Sequence, residues 1–244
     1  MKFHALTAAA LALAMASPFA TPASARQTPD PQRQFDHDVR CTLAGMAMVL
    51  KTQNQGDYRS ILALKVYTHR MKADGKALGL SPQEIGARTT QAMQKEMAPF
   101  QGANDGAAAA LMQMMETDFA ACQKDLIGPI APMAASVSPP MLALAYDGDM
   151  ACLYVYTRLP ENDDRAEALV LGGAPAYLTR FKGEADAMHK TEDQRIADLG
   201  QVANRVNTEL NATFKLGVMS ADDIRRMNDL IFTRAQACAD GLKG

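Results

Sequence analysis

Four cysteines divide this chain into two stretches that read as unequal copies of one another. Cys41 and Cys122 lie 81 residues apart, and Cys152 and Cys238 lie 86 apart. Between them the same landmarks recur in the same order. Tyr67 follows Cys41 by 26 residues and Tyr177 follows Cys152 by 25. Each tyrosine opens a related hexapeptide, Tyr67-Thr68-His69-Arg70-Met71-Lys72 and Tyr177-Leu178-Thr179-Arg180-Phe181-Lys182. Fourteen residues beyond each tyrosine stands a helix-start signature, Ser81-Pro82-Gln83-Glu84 or Thr191-Glu192-Asp193-Gln194. In both, a hydroxyl is placed to accept from the N3 amide while Glu or Gln returns the bond. Each stretch closes on Ala-Cys-x-x-x-Leu, ending at Leu126 and Leu242. Chance alignment of two Ala-rich helical segments is the competing reading, and the shared order of landmarks favours duplication.

Four cysteines allow three pairings, which sequence alone does not separate. Duplication separates them. If each copy is a unit, its own cysteines meet, giving Cys41–Cys122 and Cys152–Cys238. Loops of this size contribute about 4 kcal/mol each in the chain-entropy picture. Disulfides of this kind belong to oxidising compartments, and residues 1–25 agree. Lys2 precedes an apolar run from Ala5 to Ala16, and Ala23-Ser24-Ala25 forms a small-residue cleavage site. That run is too short to span a bilayer. The expectation is a periplasmic or secreted chain with no membrane anchor after signal removal. With 25 basic and 27 acidic side chains, it has no concentrated positive surface for nucleic acid.

The remaining sequence predicts an all-α fold of two tandem pseudo-repeats, each a disulfide-stapled four-helix unit. A flexible leader is expected over 26–36, repeat 1 over 37–127, a Pro-rich linker over 128–140 and repeat 2 over 141–244. Helices are predicted near 37–52, 57–73, 82–98 and 106–126, then 147–159, 163–182, 192–214 and 221–242. Breaks follow local chemistry, for example Asn54-Gln55-Gly56, Asp74-Gly75 and Pro160. Gly172-Gly173-Ala174-Pro175 is expected to kink or divide the sixth segment. Leu153-Tyr154-Val155-Tyr156-Thr157 is β-like in composition, but its place after a matched cysteine assigns it to helix. An up-down-up-down bundle brings the start of its first helix beside the end of its fourth, which suits both proposed bridges.

Candidate chemistry is sparse. Tyr67 with Arg70, and Tyr177 with Arg180, sit at i,i+3 on one helix face and present a repeated ligand-binding pair for a carboxylate or an aromatic group. The architectural alternative has each tyrosine packing over the following turn, Arg70 pairing with Glu84, and Arg180 with Glu192 or Asp193. Sixteen methionines and no tryptophan raise Cu(I) ligation by thioethers, with Met112 and Met115 as the pair on one face. Core filling explains the same residues. Asp36-His37-Asp38 is a weaker metal candidate, and Asp147-Gly148-Asp149 reads as a helix cap. No hydrolase, metalloprotease or nucleophile motif surrounds His37, His69 or His189. The leading expectation is therefore an exported, non-enzymatic helical binding protein with no cofactor and a protein or small-molecule partner in the envelope. A methionine-based Cu(I) protein and a hydrolase with a site assembled by tertiary folding are the alternatives.

Overall fold

The computed structural model describes residues 30–51, 58–100, 105–130, 137–161, 163–212 and 220–243. The expected export signal, Asn54-Gln55-Gly56 and Phe214 lie outside them. Among the described residues there are eight α-helices and no strand. They are α1 (Pro31–Lys51), α2 (Tyr58–Ala77), α3 (Pro82–Met97), α4 (Asp105–Leu126), α5 (Pro139–Arg158), α6 (Asp164–Ala187), α7 (Glu192–Ala212) and α8 (Ala221–Gly241), with one 3-10 turn at Ala98–Phe100. Both disulfides form as the duplication predicts, Cys41–Cys122 and Cys152–Cys238. They are compatible with a non-cytoplasmic location. None of the described helices is long and apolar enough to cross a membrane.

Several boundaries differ from expectation, each for a local reason. α1 begins at Pro31, so half of the expected leader is helical; a proline fits the first turn, where its missing N–H has no partner to lose. Pro139 and Pro140 likewise open α5 instead of closing the linker. Asp147 and Asp149 therefore lie inside a helix and do not cap one. α2 continues through Gly75 to Ala77, and the Ile85 side chain of α3 seats on that glycine, where a Cβ would stand 2.5 Å from Ile85 Cδ1. Nor is α6 divided at Pro175. Its Gly173 lies against Tyr156 of α5. With both first helices extended, Cys41 falls mid-helix and Cys152 past the middle of α5. Each staple therefore joins the body of a first helix to the last turns of a fourth.

The turns between α2 and α3 and between α6 and α7 are built alike. Ser81 and Glu84 exchange both capping bonds, as do Thr191 and Gln194. Leu80 N–H donates to Gly75 O and Lys190 N–H to Ala185 O, both at 2.9 Å. The left-handed residue each turn needs is Gly79 (φ 74°) in one and His189 (φ 53°) in the other.

One main core serves both halves. Cys41 and Ala44 of α1, Leu62, Val66 and Tyr67 of α2 and Phe119 of α4 pack with Tyr154 and Tyr156 of α5, Val170 and Tyr177 of α6, Val206 of α7 and Phe232 of α8. α2 packs on both α5 and α6, which explains its weak amphipathic pattern: it is covered on most sides. α3 alone contributes nothing to that core. Its Ile85 joins a small separate cluster with Phe35, Val39, Leu43 and Met71.

Candidate functional site

The repeated tyrosine and arginine occupy equivalent places. Tyr67 Oη donates to the Cys122 carbonyl at 2.6 Å, and Tyr177 Oη to the Cys238 carbonyl at 2.7 Å. Each tyrosine thus reaches the fourth helix at the disulfide and does not cover the following turn. Arg70 stacks over Tyr67 at 5.5 Å and Arg180 over Tyr177 at 5.3 Å. Neither arginine goes forward to the predicted carboxylates: Glu84 caps Ser81, and Glu192 pairs with Arg59 at 2.5 Å. Helical side chains lean toward the N-terminus, so both arginines turn back to a buried aspartate on the first helix. Arg180 Nε lies 3.0 Å from Asp149 Oδ2, and Arg70 acts on Asp38. Asp38 and Asp149 each sit three residues before a disulfide cysteine. A second acid completes each set one turn beyond the arginine, Asp74 or Glu184. Tyr67 and Tyr177 are buried with their hydroxyls engaged, so little of either aromatic face is left for a ligand.

The other candidates are scattered. Met115 is buried in the main core, whereas Met112 is half-buried and is not packed on that core. Asp36, His37 and Asp38 engage different partners, Gln32, Asp125 and Gln34 respectively. His189 is exposed in the turn. His69 is fully buried, with neither ring nitrogen hydrogen-bonded. Burial, then the Lys72 and Lys65 charges, lower its pKa to about 4, so the ring is neutral at neutral pH. Neither histidine lines any of the clefts described next. Among the described residues, no three His, Cys, Asp or Glu side chains gather as metal ligands.

The concavities of interest flank α3. This helix buries one residue, Ile85, whereas α7, its positional counterpart, buries Leu199, Val202, Ala203, Val206 and Leu210. The sequence explains the difference. α7 carries apolar residues at 3- and 4-residue spacing, while in the register set by Ser81 and Thr191 α3 offers Thr89, Ala92 and Glu96 where α7 has Leu199, Val202 and Val206. α3 is pinned by Ile85 at its first turns and by the Arg88–Gln32 hydrogen bond (2.9 Å) and the Arg40–Glu96 pair (3.6 Å) along its length.

On one side runs a groove of about 550 Å³ lined by Leu43, Met46, Met71, Ile85, Thr89 and Met93. Its far end carries Lys72, Lys76 and the carboxylates of Glu161, Asp163, Asp164 and Glu167. On the other side a cleft of about 460 Å³ has Phe35, Val39 and Leu43 as its floor and Arg40, Arg88 and Lys95 on its rim. Met46 and Met93, both in the lining of the groove, are each about 40 % exposed, and Met97 and Leu50 add exposed apolar side chains on the same two helices. A broader trough of about 960 Å³ between α6 and α8 differs in kind: Arg165 lies over the Phe232 ring at 4.2 Å and covers its one large aromatic side chain.

Comparison with family models, curated proteins and solved structures gives no match to this chain. The chemistry of the surface therefore carries the functional argument. Sequence reading misses both the α3 groove and the buried acids. The acids leave a signal, Asp three residues before Cys41 and Cys152 and an acid four residues after Arg70 and Arg180. The groove leaves a fainter one, in the failure of α3 to match the apolar spacing of α7.

Proposed function

We propose that this chain is an exported, non-enzymatic binding protein built from two copies of one four-helix unit, one sealed by its third helix and one left open for a partner. Duplication is supported by the matched set of Tyr–carbonyl bonds, Arg-over-Tyr stacks, buried acids, capping boxes and disulfides. Export is supported by the N-terminal sequence and the two disulfides. The observation that carries the binding reading is the contrast between α3 and α7. A third helix that completes the core in one copy stands off it in the other, and leaves Met46 and Met93 of the groove about 40 % exposed.

Methionine is unbranched and polarisable and adapts to varied apolar surfaces, which makes a Met-lined groove suited to a peptide ligand. The occupant we assign is an amphipathic segment of another protein. Its apolar face lies on Met46, Met71 and Met93, and a basic residue meets the far end, where four carboxylates outnumber Lys72 and Lys76. Titration with the hydrophobic dye anilinonaphthalene sulfonate tests the groove whatever the identity of the partner. The folded protein is expected to bind it, and Met46→Asp/Met93→Asp to lose most of the signal with an unchanged helical spectrum. Equal dye binding by the variant would rule out this surface.

A further inference from the structure

Two pairs of inward-facing carboxyl groups, buried except for the half-buried Asp74, sit at corresponding places in the two halves. Asp38 (0 % exposed) on α1 faces Asp74 on α2, and Asp149 (3 %) on α5 faces Glu184 (6 %) on α6, close enough for each acid to act on the proton affinity of its neighbour. An ionised carboxylate only accepts, so two carboxyl groups bond to one another only if one holds a proton. One oxygen of each acid, Asp38 Oδ2, Asp74 Oδ2, Asp149 Oδ2 and Glu184 Oε2, is buried without a well-aligned protein donor. Asp149 Oδ2 has the Arg180 charge beside it, but the Nε–H is not aimed along a hydrogen bond. One proton per pair supplies a missing donor. One arginine faces each pair, so a singly protonated pair with Arg70 or Arg180 is electrically neutral, and a doubly ionised one leaves a net negative charge in the interior.

We propose that each half of the protein holds one shared proton between its two inward-facing acids, and that losing these protons loosens the α1–α2 and α5–α6 pairs together. The surroundings name few other participants. Around Asp38 these are Gln34 on its own helix and Arg70, Asp74 and Tyr67 on α2; Asp125 of α4 faces Tyr67 and His37. Among the described residues, α3 presents no charged group to it. Around Asp149 they are Arg180, Glu184 and Tyr177 of α6. The nearest charges of α7, Asp198 and Arg205, engage Tyr146 and Asp147 instead. Among the described residues of α2 and α8, no charged group is directed at Asp149.

Burial acts in the same direction as this geometry. It raises Asp38, whose proton Asp74 further favours, and it raises Asp149 to about 6 and Glu184 to about 7. A carboxyl raised by folding binds more protons in the native than in the unfolded state, so its contribution is favourable at acid pH and is lost as pH rises through the folded value. Leu43 and Met46, further along α1 from Asp38, line the α3 groove. Proton loss therefore reshapes that groove, a consequence that rests on the binding reading, whereas the test below does not.

Infrared spectroscopy of the whole protein, with thermal melts across pH, decides the matter. At about pH 5 the wild type is expected to show a buried protonated-carboxyl C=O band and its highest Tm, both falling toward about pH 8. Asp38→Asn/Glu184→Gln replaces each shared O–H by an amide N–H and is expected to lose the band and flatten the Tm profile. A wild type with no such band would overturn the proposal whether or not the variant folds. An undiminished pH slope in a folded double variant would do the same.

Discussion

The hydroxyls of Tyr67 and Tyr177 tie the second helix of each half to the carbonyl of a disulfide cysteine. A single atom thereby fixes how the staple sits against the core. Replacing either by Phe keeps the ring, and with it the stack under Arg70 or Arg180, and removes one buried hydrogen bond. Tyr67→Phe and Tyr177→Phe are each expected to cost roughly 1–2 kcal/mol in urea unfolding. The two losses are expected to be similar, because the bonds are 2.6 and 2.7 Å and both rings are buried. Their recurring Tyr-x-x-Arg spacing makes these tyrosines and arginines legible in the sequence, though not their partners. Asp38 and Asp149 are harder to see, because an acid beside His37 or Gly148 looks like a solvated cap. Its burial depends on where a second helix brings an arginine, which local pattern does not encode.

Helix identity is legible nearly throughout, since capping boxes and proline or glycine breaks act within a few residues. Helix ends and glycine roles are less so. Pro31, Pro139 and Pro140 resemble breakers in sequence, yet all stand in first turns, where no amide is needed. Gly75 and Gly173 resemble defects, yet each makes room for a side chain from another helix. Gly173 is the stricter case, as an added Cβ would fall 2.1 Å from Tyr156 Oη. Tyr156 is fully buried, so its ring has nowhere to retreat. Gly173→Ala is therefore expected to destabilise the protein by roughly 1–3 kcal/mol through overpacking, despite the better helix propensity of alanine. Gly172→Ala, with nothing within 4 Å of the added atom, provides the control and is expected to be neutral or stabilising. Thermal unfolding of the two variants side by side separates packing from propensity.

Two bridged halves share one core, and that fact is out of reach of the sequence. Periodicity identifies an apolar face without saying which helix covers it. α2 and α5 meet across the halves, Lys65 donates to the Leu159 carbonyl, and Arg59 of the first half pairs with Glu192 of the second. Against this common interior α3 stands apart, anchored by Ile85 and by polar bridges at its surface. Its looseness is what the binding reading depends on, and it has a direct physical signature. Amide protection follows the free energy of local opening, which scales with buried apolar contact. Hydrogen exchange on the intact protein, read segment by segment over α3 and α7, measures this contrast. The account predicts that amides of 88–97 exchange much faster than those of 199–210, and that an occupant of the Met46–Met93 groove slows the first set selectively. Equal protection of the two helices in the free protein would show that α3 is as firmly seated as α7, and would leave the groove without its reason to exist.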